Sequence, residues 1–150
     1  MLHRLIGIGV FLLALALFIK TMAPSVSFWD TGEFIACSYI MGVPHPPGAP
    51  LYILLGRLFS LLPLYEVAWR VNLMSVLSSA LAVWCAYLST VALARRALGG
   101  ATLQTFGDSR DLTTIVGGAV AALSLAFSYT FWYNAVEAEV YGYSIFFTAL

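Results

Sequence analysis

Apolar residues fall along this chain in long blocks, separated by short polar stretches and one loop of unusual make-up. Residues 5 to 23, LIGIGVFLLALALFIKTMA, are apolar on every face, with His3 and Arg4 ahead of them. A helix that is apolar all round and close to 20 residues long predicts a membrane span. A cleaved secretory leader is the rival reading. Its apolar core is long for that, and Pro24 follows Ala23, the one plausible cleavage point.

Residues 70 to 94, RVNLMSVLSSALAVWCAYLSTVALA, predict a second span. Its small residues, Ser75, Ser78, Ser79, Ala80 and Ala82, suit close packing of helices in lipid. Arg95 and Arg96 close it, and a polar loop with Gly99-Gly100, Arg110 and Asp111 follows. Residues 112 to 131 predict a third span, and another begins near Val140. The block 51 to 62, LYILLGRLFSLL, is apolar but short, carries Arg57, and is closed by Pro63. Its length favours an interfacial or re-entrant helix over a crossing.

That choice sets the topology. If 51 to 62 does not cross, Arg4, Arg95, Arg96 and Arg110 share one side, which the positive-inside rule makes cytoplasmic. Residues 24 to 69 then form an external loop, and residues 132 to 143 face outward with it. If 51 to 62 does cross, the Arg95-Arg96 pair falls outside, against the rule. The first arrangement is preferred.

Composition agrees with the pattern. The chain is 61% hydrophobic and 9% charged, against roughly 25% charged in a soluble domain, and its mean hydropathy is +0.92. It is expected to be an all-α integral membrane protein. Its net charge of zero points to no nucleic-acid partner. Cys37 and Cys85 fall outside and inside the bilayer respectively, so no disulfide is expected. The chain stops at Leu150 inside an apolar run too short to span, which suggests the N-terminal part of a longer protein.

With so few charges, the placement of each one is informative, because an ionisable group at membrane depth costs a few kcal/mol. Residues 24 to 52 of the external loop hold Asp30, Glu33, His45 and five of the six prolines, in PSVSFWDTGEFIACSYIMGVPHPPGAPLY. The second outward stretch, WYNAVEAEVYGY, holds Glu137 and Glu139, with Tyr141 beside them. Trp29, Trp132 and Tyr133 flank the acids, as aromatic residues do at an interface. Four carboxylates from distant stretches thus reach one membrane surface.

Each piece also has a plainer reading. Asp30 and Glu33 have capping-box spacing. On a helix Glu137 and Glu139 would point to nearly opposite sides, so a shared site needs loop or extended backbone there. Otherwise one of them is simply solvated. His45 between prolines fits a rigid turn, and Arg57 and Arg70 fit snorkelling to headgroups.

An acid shortly after the first span, then HPP leading into an apolar helix, resembles the first external loop of the GT-C membrane glycosyltransferases. WDTGEF and GVPHPPGAPLYILLGRLF look like the protein O-mannosyltransferase pattern, and lipid A aminoarabinose transferases are similar with Lys in the His position. FWDTGEFIACSYIMGVPHPPGAPLY and WYNAVEAEVYGYS look most like bacterial relatives of a eukaryotic transmembrane protein O-mannosyltransferase. The resemblance implies a multi-span GT-C bundle with interfacial helices in its first external loop. It implies transfer of a sugar, mannose in those relatives, from a polyprenyl-phosphate carrier to a hydroxyl of a protein or glycan. It further implies that the transfer takes place on the outer face of a bacterial inner membrane.

By position, Asp30 matches the expected catalytic base. Glu33 stands near, but not next to, the site of the family's second first-loop acid. Glu137 and Glu139 fall where a second acidic motif is common. Both being Glu, and the mannosyltransferase branch being thought metal-free, a divalent metal is not favoured and no cofactor is expected. His45, Arg57 and Arg70 are candidates to hold the leaving phosphate, and Tyr141 joins the substrate-binding set. Two rival functions are a transporter whose acids line a cation path and a non-catalytic binder of lipid-linked sugar.

Overall fold

The computed structural model of the chain describes residues 2–98 and 109–150, with backbone alone for Ser109 and Arg110. The glycine pair and most of the loop after it lie outside the described residues, as does the side chain of Arg110. Seven helices make up the described chain: α1 (Leu2–Thr21), α2 (Thr31–Ile40), α3 (Pro50–Ser60), α4 (Val67–Ala97), α5 (Ser109–Ala126), α6 (Tyr129–Ala135) and α7 (Val140–Ala149). The protein is all-helical, as its hydropathy pattern predicts.

α1 and α4 are long and apolar enough to cross a membrane. At 1.5 Å per residue the 20 residues of α1 reach about 30 Å, the thickness of a hydrocarbon core. The 31 residues of α4 exceed it. The stretch from 112 to 131, expected as one span, is divided: α5 and α6 are bent by 68° at a short break. No Pro or Gly sits at that break. Instead the Ser128 hydroxyl donates to the Leu125 carbonyl at 2.8 Å, and Ser128 leaves helical space at φ −67°, ψ 136°. A serine that bonds its own preceding turn competes with the helical ladder. α6 therefore turns away at the end of the bundle.

α1, α4 and α5 pack on a shared core. Val10, Ala14 and Phe18 meet Val76, Ala80, Val83 and Tyr87, with Ala122 and Ala126 closing the third side. Small residues let the backbones approach, where dispersion replaces the hydrophobic drive that lipid removes. The two ends of the bundle are chemically different. At one, Arg95 bonds Asp111 through Nε at 3.1 Å and an Nη at 2.6 Å, and the Tyr87 hydroxyl donates to the His3 carbonyl. At the other, the Ala23 amide donates to the Val136 carbonyl at 2.9 Å. This bond brings the segment after α1 against the segment after α6.

α2 and α3 form a hairpin beside α4, with Phe34, Tyr52, Ile53 and Met74 buried between them. α3 ends at Ser60, two residues before the predicted limit. Two arginines hold the C-terminal ends of these short helices. Arg57 donates to the Tyr39 carbonyl at 2.6 Å and lies over the Tyr39 ring. Arg70 donates to the Ser60 carbonyl at 2.5 Å and the Tyr65 carbonyl at 2.8 Å. Cations at helix C-termini satisfy orphan carbonyls and meet the negative end of the dipole.

Candidate functional site

Asp30 is the N-cap residue of α2, yet its side chain makes no capping bond, and its backbone is helical at φ −76°, ψ −6°. Glu33 does not reach back to the cap either. Its carboxylate turns to His45, accepting from the His45 amide at 2.8 Å and meeting Nδ1 at 2.7 Å. The capping-box alternative therefore does not hold: both acids stay free of the helix end they could have capped. His45 Nε2 lies 3.9 Å from the Asp30 carboxylate, and the ring packs against Phe34. The Glu33 hydrogen bond raises the His45 pKa above its usual value, with the Asp30 and Glu139 charges adding to it against some desolvation. The same bond holds Glu33 below the ordinary carboxylate range.

Trp29, just before Asp30, has φ 60°. A left-handed backbone is a genuine outlier for so bulky a residue. Trp29 and Tyr133 of α6 line a common cavity, which brings the first acidic stretch beside the second. The Tyr133 hydroxyl is pushed up in pKa, chiefly by the charge of Glu137.

Between α6 and α7 the chain is not helical. Glu139 is extended at φ −130°, ψ 149°, and its amide donates to the Glu137 carbonyl at 2.8 Å. That kink supplies the non-helical backbone a shared site requires. Glu137 and Glu139 are both buried, at 4% and 7% exposure, and Ala138 between them is fully buried. The Ser27 hydroxyl donates to Glu137 at 2.5 Å. Ser75 of α4 bonds both the amide and the carbonyl of Glu139 at 3.3 Å. Burial raises the Glu139 pKa to about 7, helped by the neighbouring charges of Glu137 and Asp30.

Asp30, Glu137 and Glu139 line one open cavity of about 690 Å³ at the end of the bundle, with Trp29, Tyr133 and Tyr141 around them. His45 lies in an adjoining, mainly apolar cavity of about 430 Å³ that shares Tyr141 and runs along Pro47, Tyr52 and Tyr143. Of the residues singled out from the sequence, Asp30, Glu137, Glu139 and Tyr141 meet in the larger cavity, while His45 lines the adjoining one and Glu33, lining neither, is bonded to His45. Arg57 and Arg70 line neither cavity and are engaged at helix ends.

Asp30, Glu33 and His45 each offer a ligand atom, all within 4.8 Å of one another. The His45 amide and Nδ1 bond the two oxygens of Glu33, so an ion there would compete with the Glu33–His45 contact, while Nε2 and the Asp30 carboxylate face each other. Sequence reasoning missed Ser27, Asn72 and Ser75. Asn72 carried a signal, being a carboxamide inside a membrane segment.

An acid-lined, aromatic-rimmed cavity at one end of an apolar helical bundle defines a membrane protein with a polar site at its surface. The family described as "Protein O-mannosyl-transferase TMEM260 N-terminal domain" matches residues 30–150, and the chain belongs to it. The mouse protein named "Protein O-mannosyl-transferase TMEM260" is 32% identical over 145 residues, covering 96% of this chain and 18% of that protein. The Dictyostelium discoideum protein named "Protein O-mannosyl-transferase tmem260" is 28% identical over 144 residues, 94% of this chain and 15% of its own length. The chain thus spans less than a fifth of either relative. No solved structure matches it.

Proposed function

We propose that the protein carrying this chain is a GT-C-type membrane glycosyltransferase. It moves a sugar, mannose by the names of its relatives, from a polyprenyl-phosphate carrier to an acceptor hydroxyl of a protein or glycan. The site is placed on the non-cytoplasmic face, with Arg4, Arg95 and Arg96 at the cytoplasmic end, in keeping with the positive-inside rule. A bacterial inner membrane is the proposed location. The observation that carries the proposal is the meeting of Asp30 with Glu137 and Glu139 in one cavity, from two stretches far apart in sequence.

In this scheme the acceptor oxygen attacks the anomeric carbon while the bond from that carbon to the carrier's phosphate oxygen breaks. Asp30, exposed and uncapped, takes the acceptor proton. The departing phosphate gains charge and needs a cation. Among the described residues no Arg or Lys lines the two cavities, so His45 is the cation nearest the site. Glu33 favours its charged form and fixes its orientation. Glu139, with a pKa of about 7, holds a proton near neutral pH and donates a hydrogen bond to a sugar hydroxyl. The apolar cavity beside His45 suits the first units of a polyprenyl chain.

The test replaces Asp30 with Asn in the full-length protein. Transfer from mannosyl-phosphoryl polyprenol should fall at least about a hundredfold, while the protein stays folded and still binds the carrier. Unchanged transfer in Asp30→Asn removes Asp30 as the base. A wild-type protein that catalyses no sugar transfer but carries ions across liposomes removes the enzyme assignment.

A further inference from the structure

Building on the proposed transferase site, we infer that Ser27 is a positioning residue, whose hydroxyl holds the Glu137 carboxylate in the orientation the sugar-binding cavity requires. Ser27 and Glu137 lie 110 positions apart in the chain, yet their side chains meet at 2.5 Å. Glu137 is 4% exposed, so its carboxylate has little water to orient it.

The mount beneath Ser27 is braced on two sides. The fully buried Asn72 of α4 donates through its amide nitrogen to the carbonyls of Ala23 and Ser25, at 2.9 and 3.1 Å. The Ala23 amide bonds the Val136 carbonyl, one residue before Glu137. Thr31 Oγ1, fully buried, lies 3.3 Å from Ser27 Oγ. A serine hydroxyl has one proton. The shorter contact, to the carboxylate, takes that proton in preference to the Thr31 oxygen 3.3 Å away. Ser27 thus gives one oxygen of Glu137 a fixed partner and leaves the other for the cavity it lines. Ser27 itself lines neither cavity, so it acts through Glu137.

The test is a cycle of Ser27→Ala, Glu137→Ala and the double variant in the full-length protein. Mannose transfer from mannosyl-phosphoryl polyprenol is read as kcat and KM, and folding by melting temperature. Ser27→Ala is expected to lower kcat about ten- to hundredfold, the cost of losing a hydrogen bond to a charged group, and Ser27→Thr to restore most of it. In the Glu137→Ala background, Ser27→Ala should add no further loss of kcat. Ser27→Cys, which fills the space but donates weakly, carries the same comparison if Ser27→Ala does not fold. Wild-type turnover in Ser27→Ala, or an equal loss with and without Glu137, overturns the inference alone. A wild-type protein that transfers no sugar overturns the proposed function, and the inference falls with it.

Discussion

Glu33 grips His45 at two points, one carboxylate oxygen on the backbone amide at 2.8 Å and the other at Nδ1, 2.7 Å away. The grip spans the turn between α2 and the proline-rich loop and presents Nε2 to Asp30. A residue whose spacing suggests a helix cap serves instead to orient and charge an imidazole. This contact and its neighbours bear on pH dependence, packing and topology.

Glu33→Gln removes the charge and one of the two acceptor oxygens of Glu33, which together raise the His45 pKa. If protonated His45 meets the leaving phosphate, activity falls as pH rises through the His45 pKa. The alkaline limb of the kcat profile should then move to lower pH in Glu33→Gln, with the acid side little changed. An unmoved limb dissociates His45 from the reaction. The linkage has the matching sign. The raised His45 pKa stabilises the fold fully below the usual value of 6.5, an effect lost as pH rises through the folded value. The lowered Glu33 pKa stabilises above 4.5 and is lost as pH falls. Their joint contribution is greatest between pH 4.5 and 6.5, and being exposed it is small.

Glu139 behaves in the opposite sense. Its folded pKa of about 7 lies above the unfolded 4.5. Between those values the folded state binds more protons than the unfolded chain, so stability falls as pH rises through that window. Glu139→Gln should therefore melt higher than wild type at pH 8, by an amount on the order of 2 kcal/mol, and about level with it at pH 5. Equal melting differences at the two pH values would show that Glu139 titrates normally.

Gly142 of α7 sits directly on Ser79 of α4. A Cβ on Gly142 would meet the Ser79 hydroxyl, and would lie 3.2 Å from its Cβ and 3.5 Å from its Cα. The Ser79 hydroxyl would have to turn away and its Cβ to give, so Gly142→Ala should destabilise the detergent-solubilised protein by about 1–3 kcal/mol. Ser79→Gly in the same protein should recover part of the loss in melting temperature. Additive losses would place the strain elsewhere.

Topology is open to labelling. Val26 and Tyr129 are exposed at the end that carries the acids, and Ala97 is exposed at the other. With Cys37 and Cys85 replaced by Ser, a membrane-impermeant maleimide applied to intact cells should label Val26→Cys and Tyr129→Cys and spare Ala97→Cys. The reverse pattern would put the site on the cytoplasmic face.

Much of the fold was legible in the sequence because lipid imposes a simple rule. Every backbone polar group must be satisfied within its own segment, so long apolar blocks such as 5–23 and 70–94 read directly as helices: α4 covers the second, and α1 the first but for Met22 and Ala23. The break at Ser128 was not legible, since a serine inside an apolar run looks the same whether it bonds outward or back to its own turn. The acids stood out by their scarcity, but their partners did not. Glu33 and His45, and Ser27 and Glu137, meet through contacts at 12 and 110 residues' separation that no local pattern encodes.

The sequence by itself determined that this protein lives in a membrane, that its chain is helical, and that four of its seven acids lie near Trp29 or Trp132. Only the tertiary structure decided which charges share a cavity and which are spent on helix ends, as Arg57 and Arg70 are. Hydropathy is a property of each segment alone. The direction a side chain takes depends on the partner that the packed bundle brings within reach.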